Sequence, residues 1–426
     1  MRFDLLHPSD QILMMMQRIY SYGMTTTSGG NLSVLDENGD MWITPAGIDK
    51  GELTRQDMVC VKADGTIVGK HKPSSEHPFH MLVYRKRPDL RAVVHAHPPA
   101  LVAFSIVRQI PNVHLLPNDH RICGTVGMAE YGLPGSMELG EKIAAVFAEG
   151  IDTVMLENHG VVVGGADLFQ AFQRFETLEY CARLEIKARR IGTPVSLQPA
   201  ELVEKREELQ EEFVPGTCTS EEREARREMC KLIHRSYDQR LFTSTQGTFS
   251  QRLSDGSFII TPFDRDRKYL EPADLVRIQN GKKEQGKTPS RSVRFHQYIY
   301  DTQPHVNSVI IAHPPNIMAF AVTNEEFDSR TIPESYILLR NIPKLPHGDL
   351  YTAPAEAAKL FRMDTPIVIA ENDCVIVTGQ TLLNTFDRLE VAEYSAKAII
   401  SARALGEIIH MERARIEEIE EAFHLK

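Results

Sequence analysis

The sequence predicts an α/β protein that contains two tandem copies of one domain, each built around a central sheet. Short motifs recur along the chain at a nearly constant offset. Thr44-Pro45 returns as Thr261-Pro262, 217 positions later, and Ala96-His97-Pro98-Pro99 returns at residues 312–315, 216 positions later. Within each copy, short apolar runs alternate with segments that have helical apolar periodicity, and this mixture of strand and helix patterns indicates the α/β class.

Three further motif pairs keep the same register along the two copies. They are Lys72-Pro73-Ser74 with Thr288-Pro289-Ser290, Phe79-His80 with Phe295-His296, and Glu157-Asn158 with Glu371-Asn372. The offset changes only from 217 to 214 residues between the first and the last motif. Because this period is far longer than a solenoid repeat, we interpret the chain as a duplicated domain. We expect the first domain at residues 1–198, a charged linker at 199–218 and the second domain at 219–426.

The elements of each copy are predicted in the same order. An N-terminal helix is followed by a glycine-rich turn, two short strands, a helix, a buried strand, another strand and a long closing helix. In the first copy the strands are expected at residues 40–45, 58–63, 91–97 and 160–165, and the later helices at residues 74–87 and 168–191. In the second copy the closing helix is expected at residues 382–405, and an amphipathic helix follows at 413–423.

Composition and charge narrow the classes of partner. A net charge of −10 offers no basic stripe for a nucleic acid, whereas backbone N–H groups can still hold a small anionic substrate. The first twenty residues lack the features of a signal peptide, and no apolar run approaches transmembrane length, so no membrane partner is expected. The six cysteines form no CxxC pair, which predicts reduced core residues in a cytoplasmic protein.

Three histidines are the strongest chemical signal in the chain. His95 and His97 stand one residue apart at the end of an apolar run, and in a strand such residues point to the same face. His159 precedes another strand-like stretch. Three imidazoles with room for a fourth ligand are the arrangement of a catalytic zinc site. We therefore predict that His95, His97 and His159 bind Zn²⁺ or, as the alternative, another divalent metal.

Five motifs of the first copy occur in the order and spacing of a known family. They are residues 28–33 (Ser-Gly-Gly-Asn-Leu-Ser), 43–47 (Ile-Thr-Pro-Ala-Gly), 72–76 (Lys-Pro-Ser-Ser-Glu), 95–98 (His-Ala-His-Pro) and 157–160 (Glu-Asn-His-Gly). With them the chain resembles the class II aldolase/adducin family, and most closely its L-fuculose-phosphate aldolase branch. The resemblance implies an α/β/α sandwich with a largely antiparallel sheet. It also implies a four-domain ring with active sites between neighbouring domains, which two chains would complete as a homodimer.

The resemblance further implies a reaction and roles for residues of the first copy. The implied reaction is retro-aldol cleavage of a phosphorylated ketose, in which zinc polarises a carbonyl. Glu76 matches the family's catalytic glutamate and would move protons between substrate oxygen and carbon. The substrate phosphate would be held by Gly30, Asn31, Gly47, Ser74 and Ser75. Glycine lets a backbone approach an anion, and Asn and Ser side chains donate hydrogen bonds to it, although each residue alone is also typical of a turn or cap.

The first copy departs from the aldolase pattern in two places. Ala46 stands where this branch usually has a hydroxyl residue. No tyrosine follows Ile110-Pro111, where the family presents the acid for the departing aldehyde. Either another residue takes that role, with His114, Asp119 and His120 as candidates, or the reaction differs.

The second copy offers a tyrosine near the position that the first copy lacks. Tyr336 follows Ile332-Pro333 and falls within one residue of the family's tyrosine. We hypothesise that Tyr336 reaches a first-copy site across the ring, and the alternative is a partly buried structural tyrosine.

The second copy lacks most of the residues that carry chemistry in the first. At matching positions His95 becomes Ile311, His159 becomes Asp373, and Glu76 becomes Ser292, while His313 keeps the position of His97. One imidazole and one displaced carboxylate do not reproduce a three-histidine site, so we expect no tight metal in this half.

Several alternative functions stay open at the level of sequence. The same metal site would serve a decarboxylase of a 3-oxo sugar-acid phosphate, a dehydratase or a pentulose-phosphate 4-epimerase. Glu76 favours an aldolase over an epimerase, whose family pattern has aspartate there, whereas the missing tyrosine favours a decarboxylase. A non-enzymatic scaffold, as in the adducin head, is the alternative from another class, and it would have no physical need for the three histidines and Glu76.

Overall fold

The computed structural model describes residues 3–203 and 211–425, which form two compact units. One unit runs up to His114 and again from Asn118 to Arg183. The other contains Leu115–Pro117 and continues from Leu184. Residues 204–210, in the middle of the predicted linker at 199–218, lie outside the described residues.

The first copy alternates short strands with helices. Its strands are β1 (Asn31–Leu35), β2 (Met41–Ile43), β3 (Val59–Val61), β4 (Ile67–Val68), β5 (Ala92–Ala96), β6 (Val126–Ala129), β7 (Thr153–Leu156) and β8 (Val161–Gly165). Its helices are α1 (Pro8–Ser21), α2 (His77–Lys86), α3 (Pro99–Ile106), α4 (Pro117–Cys123), α5 (Met137–Ala148) and α6 (Leu168–Ile191).

The second copy follows the same order with additions at both ends. Its strands are β9 (Glu212–Phe213), β10 (Thr248–Arg252), β11 (Phe258–Ile260), β12 (Val276–Gln279), β13 (Lys282–Glu284), β14 (Ser308–Ala312), β15 (Lys344–Leu345), β16 (Ile367–Ala370) and β17 (Cys374–Gly379). Its helices are α7 (Ser220–Asp238), α8 (Val293–Thr302), α9 (Ile317–Ala321), α10 (Pro333–Leu339), α11 (Asp349–Thr352), α12 (Pro354–Ala358), α13 (Leu382–Ala402) and α14 (Arg413–Ala422).

The two sheets share one strand order, which confirms the duplication. The first sheet runs β4-β3-β2-β1-β5-β8-β7-β6. The second, traversed in the same direction, runs β13-β12-β11-β10-β14-β17-β16-β15, and β9 is added beside β13. Neighbouring strands are antiparallel except for β6 with β7, β15 with β16, and β13 with β9. The predicted α/β class with a largely antiparallel sheet is therefore confirmed in both copies.

Helices cover both faces of the first sheet. On one face α2 and α5 pack together, and Phe79, Val83 and Phe147 join sheet residues such as Val93 in a continuous apolar core. On the other face α1 packs with α6, where the Arg18 guanidinium lies 4.5 Å from the centre of the Phe172 ring. Burial of these apolar faces supplies the main favourable contribution to folding.

Strand pairing brings distant motifs of the first copy together. β1 pairs antiparallel with β5, so that Asn31 lies opposite His95. An isolated bridge joins Pro45 to Pro73, which holds the turn after β2 beside the segment that leads into α2. The predicted helix at 74–87 begins at His77, and Glu76 occupies the N-cap position. Among the described residues, no helix combines the length and the apolar character needed to cross a membrane.

Candidate metal and catalytic site

The three predicted histidines converge at one edge of the first sheet. His95 is the fourth residue of β5 and is fully buried, while His97 directly follows that strand. His159 lies in the tight turn between β7 and β8, where Asn158 has a φ of +55°. Because β5 pairs with β8, this turn is held against the end of the strand that carries His95 and His97.

The geometry of the triad is that of a metal site. The Nε2 atoms of His95 and His97 are 3.0 Å apart, and one ligand atom from each of the three histidines lies within 4.8 Å of the others. Among the described residues, Nδ1 of His159 is buried without a hydrogen-bond partner. Three imidazoles clustered this closely are suited to a shared cation, so the residues fit the predicted metal.

Hydrogen bonding, burial and a neighbouring carboxylate set the protonation of the three imidazoles. Nδ1 of His95 lies 2.9 Å from the carbonyl oxygen of Val161, which can only accept, so Nδ1 carries a proton and Nε2 is the nitrogen that faces the site. Burial lowers the pKa of His95, but the adjacent Glu76 carboxylate outweighs burial and raises it, so this ring would give up its Nε2 proton when a cation binds. Burial, together with the neighbouring imidazoles, lowers the pKa of His97 to about 3 and that of His159 to about 4. Both rings are therefore neutral at neutral pH, the form that binds metal.

A glycine allows the turn that carries His159 to approach the triad closely. A Cβ atom on Gly160 would lie 2.5 Å from the Ala96 carbonyl oxygen and 2.6 Å from Cδ2 of His97. Any larger residue would push β8 away from the end of β5, so the glycine of the Asn-His-Gly motif is required for the three rings to meet.

Glu76 lies beside the triad, as the sequence predicts for the acid/base. Its Oε2 is 3.3 Å from Nε2 of His95 and accepts a 2.7 Å hydrogen bond from Nδ2 of Asn31. Burial raises the pKa of the Glu76 carboxyl, but the His95 imidazole and the Asn31 hydrogen bond outweigh burial and hold the pKa well below its usual range. Oε1 is buried and has no hydrogen-bond partner in the described part of the chain, so this carboxylate oxygen could take up a proton.

A buried chain of hydrogen bonds holds Asn31 in place. Nε2 of His80 donates to Oδ1 of Asn31 at 2.5 Å, which leaves Nδ1 of His80 to accept from the Ser33 hydroxyl at 2.7 Å. The Ser33 oxygen in turn accepts from the Tyr84 hydroxyl at 2.7 Å. Because Oδ1 of Asn31 can only accept, the donor and the acceptor of each of these hydrogen bonds are fixed. The Asn31 amide is therefore oriented with Nδ2 toward Glu76.

The second copy has the same hydrogen bonds among serine, histidine and tyrosine, but it lacks the bond to an asparagine at their end. The Ser250 hydroxyl contacts Nδ1 of His296 at 2.7 Å and the Tyr300 hydroxyl at 2.6 Å, as Ser33 contacts His80 and Tyr84. Thr248 occupies the position of Asn31 and bonds Ser290 instead, and Nε2 of His296 is buried without a partner. The buried scaffold has therefore been kept without the carboxylate that it orients in the first copy.

An ion pair lies where the second copy has lost its metal ligands. The Arg291 guanidinium, at the position of Ser75, lies 3.7 Å from the carboxylate of Asp373, which replaces His159. Ile311 replaces His95, and Nδ1 of His313 is buried without a hydrogen-bond partner. The Asp373 carboxylate is therefore paired with a permanently charged guanidinium, and that this half binds no tight metal stays a prediction.

The five residues predicted to hold phosphate lie on three connected segments. Gly30 directly precedes β1 and Asn31 begins it, Gly47 follows β2, and Ser74 and Ser75 precede α2. The Ala46 N–H donates to the Lys72 carbonyl at 3.0 Å, and the Ser74 N–H donates to the Thr44 carbonyl at 3.1 Å. Gly30 has a φ of +73°, and a Cβ atom there would lie 2.8 Å from the His95 carbonyl oxygen. This cradle is therefore joined to the strand that carries the metal ligands.

The candidates for the missing acid have different surroundings. Asp119 is 1% exposed and accepts a 3.3 Å hydrogen bond from the Cys181 thiol. His114 is exposed and its ring lies 4.9 Å from that of His120. In the second copy the Tyr336 hydroxyl donates to Oε1 of Glu420 in α14 at 2.6 Å. The exposure of His114 makes it better suited than Asp119 to meet a substrate.

Sequence reasoning missed the residues that orient Glu76. Ser33, His80 and Tyr84 are not assigned a role by any of the five motifs. A signal was present, because Phe79-His80 recurs as Phe295-His296 although the metal ligands of that copy are lost. Because the Phe-His pair recurs in a copy that lacks the metal triad, it has a structural role. In the first copy the hydrogen bonds of this histidine also position Glu76.

Comparison with known proteins gives a family match in both copies. The model of the class II aldolase and adducin N-terminal domain matches residues 10–186 and again residues 227–400. A 5-deoxy-D-ribulose 1-phosphate aldolase from Bacillus thuringiensis serovar kurstaki is 34% identical over 203 residues, which are 45% of this chain and 91% of that protein. An L-fuculose phosphate aldolase from Methanocaldococcus jannaschii is 33% identical over 177 residues, 41% of this chain and 94% of that protein.

A third relative has a different reaction in its name. A 3-oxo-tetronate 4-phosphate decarboxylase from Haemophilus influenzae is 34% identical over 169 residues, 39% of this chain and 80% of that protein. The named reactions of the three relatives therefore include two aldol cleavages and one decarboxylation, at nearly equal identity to this chain.

Proposed function

Because the chain belongs to the class II aldolase and adducin family, we propose that its first copy is a zinc-dependent lyase that cleaves a phosphorylated ketose by retro-aldol chemistry. The observation that carries this proposal is the triad of His95, His97 and His159 with the Glu76 carboxylate 3.3 Å from one of its rings. We assign catalysis to the first domain, residues 1–198, and a non-catalytic role to the second domain, residues 219–426.

The histidines would hold Zn²⁺ and leave a position for the substrate. Three neutral imidazoles without a fourth protein ligand are typical of catalytic rather than structural zinc. When bound, the cation would polarise the substrate carbonyl and stabilise negative charge on its oxygens. The proton chain from Tyr84 through His80 to Asn31 would keep the Glu76 carboxylate pointed at the same site.

Glu76 would supply the proton transfer that the reaction needs. When the carbon–carbon bond breaks, the hydroxyl of the departing half loses its proton and becomes an aldehyde. The electron pair of that bond stays on the ketone half, which must receive a proton at carbon. Oε1 of Glu76 has no hydrogen-bond partner, and Oε2 is fixed by Asn31, so the carboxylate can exchange a proton without losing its position.

The substrate is proposed to be a ketose phosphate such as L-fuculose 1-phosphate or a related sugar. The cradle of Gly30, Asn31, Gly47, Ser74 and Ser75 would supply donors for the phosphate, and the pairing of Asn31 with His95 supports a place beside the metal ligands. The names of two relatives, an aldolase of a deoxypentulose phosphate and one of L-fuculose phosphate, support this class.

A product-resolved screen tests the proposal. The zinc-loaded chain is incubated with L-fuculose 1-phosphate, 5-deoxy-D-ribulose 1-phosphate and a 3-oxo-tetronate 4-phosphate, and dihydroxyacetone phosphate, aldehyde and carbon dioxide are measured separately. We expect equal amounts of dihydroxyacetone phosphate and aldehyde from a ketose 1-phosphate. Carbon dioxide without aldehyde would identify a decarboxylase. No product from any substrate, together with no bound zinc, would favour the scaffold.

Decarboxylation is the second candidate, and one observation favours it. No tyrosine lies shortly after Ile110-Pro111, so the described first copy lacks the tyrosine that the family's aldolases present to the departing aldehyde. A decarboxylase releases carbon dioxide and needs no acid at that place. The relative named as a decarboxylase is as similar to this chain as the aldolases are. A dehydratase or a 4-epimerase would use the same metal ligands.

We propose that two chains form a four-domain ring in which Tyr336 supplies the missing acid to a first-copy site. Replacing Tyr336 with phenylalanine is then expected to lower kcat at least about tenfold, because the reaction loses the group that takes the proton from the hydroxyl that becomes the aldehyde and returns it in the reverse direction. Steady-state kinetics and sedimentation velocity of the same preparations check this prediction. Tyr394→Phe serves as the control, since that tyrosine is 68% exposed in the same copy.

The outcomes separate the two parts of this proposal. An unchanged kcat in Tyr336→Phe, with a dimer of about twice the 48.1 kDa chain, removes Tyr336 from the mechanism and keeps the assembly. A stable monomer with full activity contradicts the ring.

A further inference from the structure

A lysine lies buried beneath the loops of the proposed phosphate cradle. Lys50 is 3% exposed, and its Nζ donates to the Pro45 carbonyl at 2.6 Å. Its own N–H donates to the Thr27 carbonyl at 2.9 Å. Pro45 precedes Gly47 by two residues, and Thr27 precedes Gly30 by three. One residue therefore connects the two glycine loops from behind.

The charge of this lysine has no carboxylate partner among the described residues. Asp49 directly precedes it, but the Asp49 carboxylate accepts a 2.8 Å hydrogen bond from the Gly51 N–H. On the neighbouring helix α1, Asp10 pairs with Arg55 at 3.2 Å. Burial alone lowers the pKa of Lys50 to about 8, and no charged neighbour contributes. A buried ammonium with only a carbonyl to neutralise it is costly unless a ligand brings negative charge.

The second copy places a buried cation at the same position. Arg267 follows Thr261 at the spacing by which Lys50 follows Thr44, and it is 2% exposed. Its guanidinium donates to the carbonyls of Thr245, Gly247 and Arg265 at 2.7 to 3.3 Å. Among the described residues, the buried cation of each copy thus bonds only main-chain oxygens of these loops, and the position holds lysine in one copy and arginine in the other.

We propose that Lys50 is a positioning residue that makes the first-copy site specific for a dianionic group. Its ammonium fixes the backbone of the Gly30 and Gly47 loops and adds a positive charge behind the N–H groups that meet the phosphate. This inference rests on the proposed function, in that the loops are taken to hold a substrate phosphate. The uncharged counterpart of the same substrate would gain nothing from Lys50.

The effect follows from the low polarity of the surroundings. Charge interactions within a protein exceed those in water several-fold, and a buried charge is screened little by salt. On this proposal the ammonium would lie near the anion before and after the bond is cleaved, so it would stabilise ground state and transition state alike. Loss of such uniform binding raises KM and leaves kcat nearly unchanged.

Two substitutions separate charge from packing. Lys50→Met keeps the aliphatic chain and removes the charge, and Lys50→Arg copies the residue that the second copy has at this position. With the zinc-loaded chain and the substrate found in the screen, KM is expected to rise about tenfold in Lys50→Met, while kcat stays within about twofold. Lys50→Arg is expected to retain KM within about threefold.

The pH dependence of KM distinguishes a role of the Lys50 charge from a role in packing, because packing alone would not change KM with pH. Lys50 is charged below its pKa and neutral above it, so wild-type KM should rise between pH 7 and pH 9 toward the value of Lys50→Met. A phosphate monoester stays dianionic over this range, because its second pKa is about 6. Arginine stays charged throughout, so the ratio of KM at pH 9 to KM at pH 7 should fall toward one in Lys50→Arg.

Sulfate binding keeps the test independent of activity. Sulfate is dianionic at both pH values, and its dissociation constant for the zinc-loaded chain is measured by calorimetry for the three proteins. We expect weaker binding in Lys50→Met and, for wild type only, weaker binding at pH 9. Equal constants in all three proteins overturn the inference, even if a sugar phosphate is cleaved. Sulfate binding that depends on Lys50, with no cleavage of any substrate, supports the anion site and rejects the proposed function.

Discussion

Replacing His97 with alanine is expected to remove the metal and to lower kcat/KM about a thousandfold. His97 contributes one of three nitrogens that lie within 4.8 Å of one another, and two imidazoles do not make a tight site. A bound metal supplies several kcal/mol of stabilisation to developing negative charge, which corresponds to about three orders of magnitude in rate. Metal content by elemental analysis and kinetics on the same sample measure the two effects.

The chain provides its own control for this substitution. His313 has the position of His97 in the second copy, is 5% exposed and is followed by the same Pro-Pro sequence. Burial lowers its pKa to about 3, as it does for His97. His313→Ala should keep about one zinc per chain and full activity. The metal assignment is wrong if His97→Ala retains its zinc, or if both substitutions lose zinc equally.

The contrast between the two copies shows which contacts belong to the fold and which to the chemistry. Ser33, His80 and Tyr84 recur as Ser250, His296 and Tyr300 with nearly identical distances. The carboxylate and two of the three imidazoles do not recur. A polar cluster that is retained without its catalytic partner is explained by burial, because removing one member would leave a buried donor or acceptor unsatisfied.

The duplication and most of the fold could be predicted from the sequence. The offset of 216 residues at His97 and His313 agrees with the two strand orders and with two family matches. The apolar run before His95 is a central strand, and the long segment at 168–191 is helix α6, as predicted. These elements have strong periodicity of their own, and no distant contact is needed to recognise them.

The elements that sequence reasoning missed depend on distant contacts. β1 begins with Asn31 and contains Ser33, and polar residues at alternate positions usually indicate a solvent-facing side. Both are buried, at 3% and 0% exposed, because they bond to Glu76 and His80 from a helix more than forty residues away. Strand β7 and helix α5 were also not predicted. The sequence around Asn31 does not predict that it lies opposite His95, because the pairing register of β1 and β5 is set by the whole sheet.

Replacing Glu76 with glutamine is expected to lower kcat by about two to four orders of magnitude while the zinc stays bound. Glutamine keeps the size of the side chain, and its Oε1 can accept the Asn31 hydrogen bond that Oε2 of Glu76 now accepts at 2.7 Å. It cannot take up and return a proton, and positioned proton transfer is worth about this factor in rate. Because the loss occurs in the transition state, kcat and kcat/KM should fall together.

Solvent isotope exchange makes this prediction specific to proton transfer. In deuterium oxide the wild type should incorporate deuterium at the carbon of the ketone product that receives the proton, and Glu76→Gln should stop this exchange with the zinc content unchanged. The control is Ser292→Ala, at the matching position of the second copy, where the hydroxyl forms a hydrogen bond with the Ser290 side chain at 3.1 Å. If Glu76→Gln retains more than half of kcat and exchanges at the wild-type rate, the proton passes through another group. His114 would then be the next residue to replace, because its side chain is exposed to solvent.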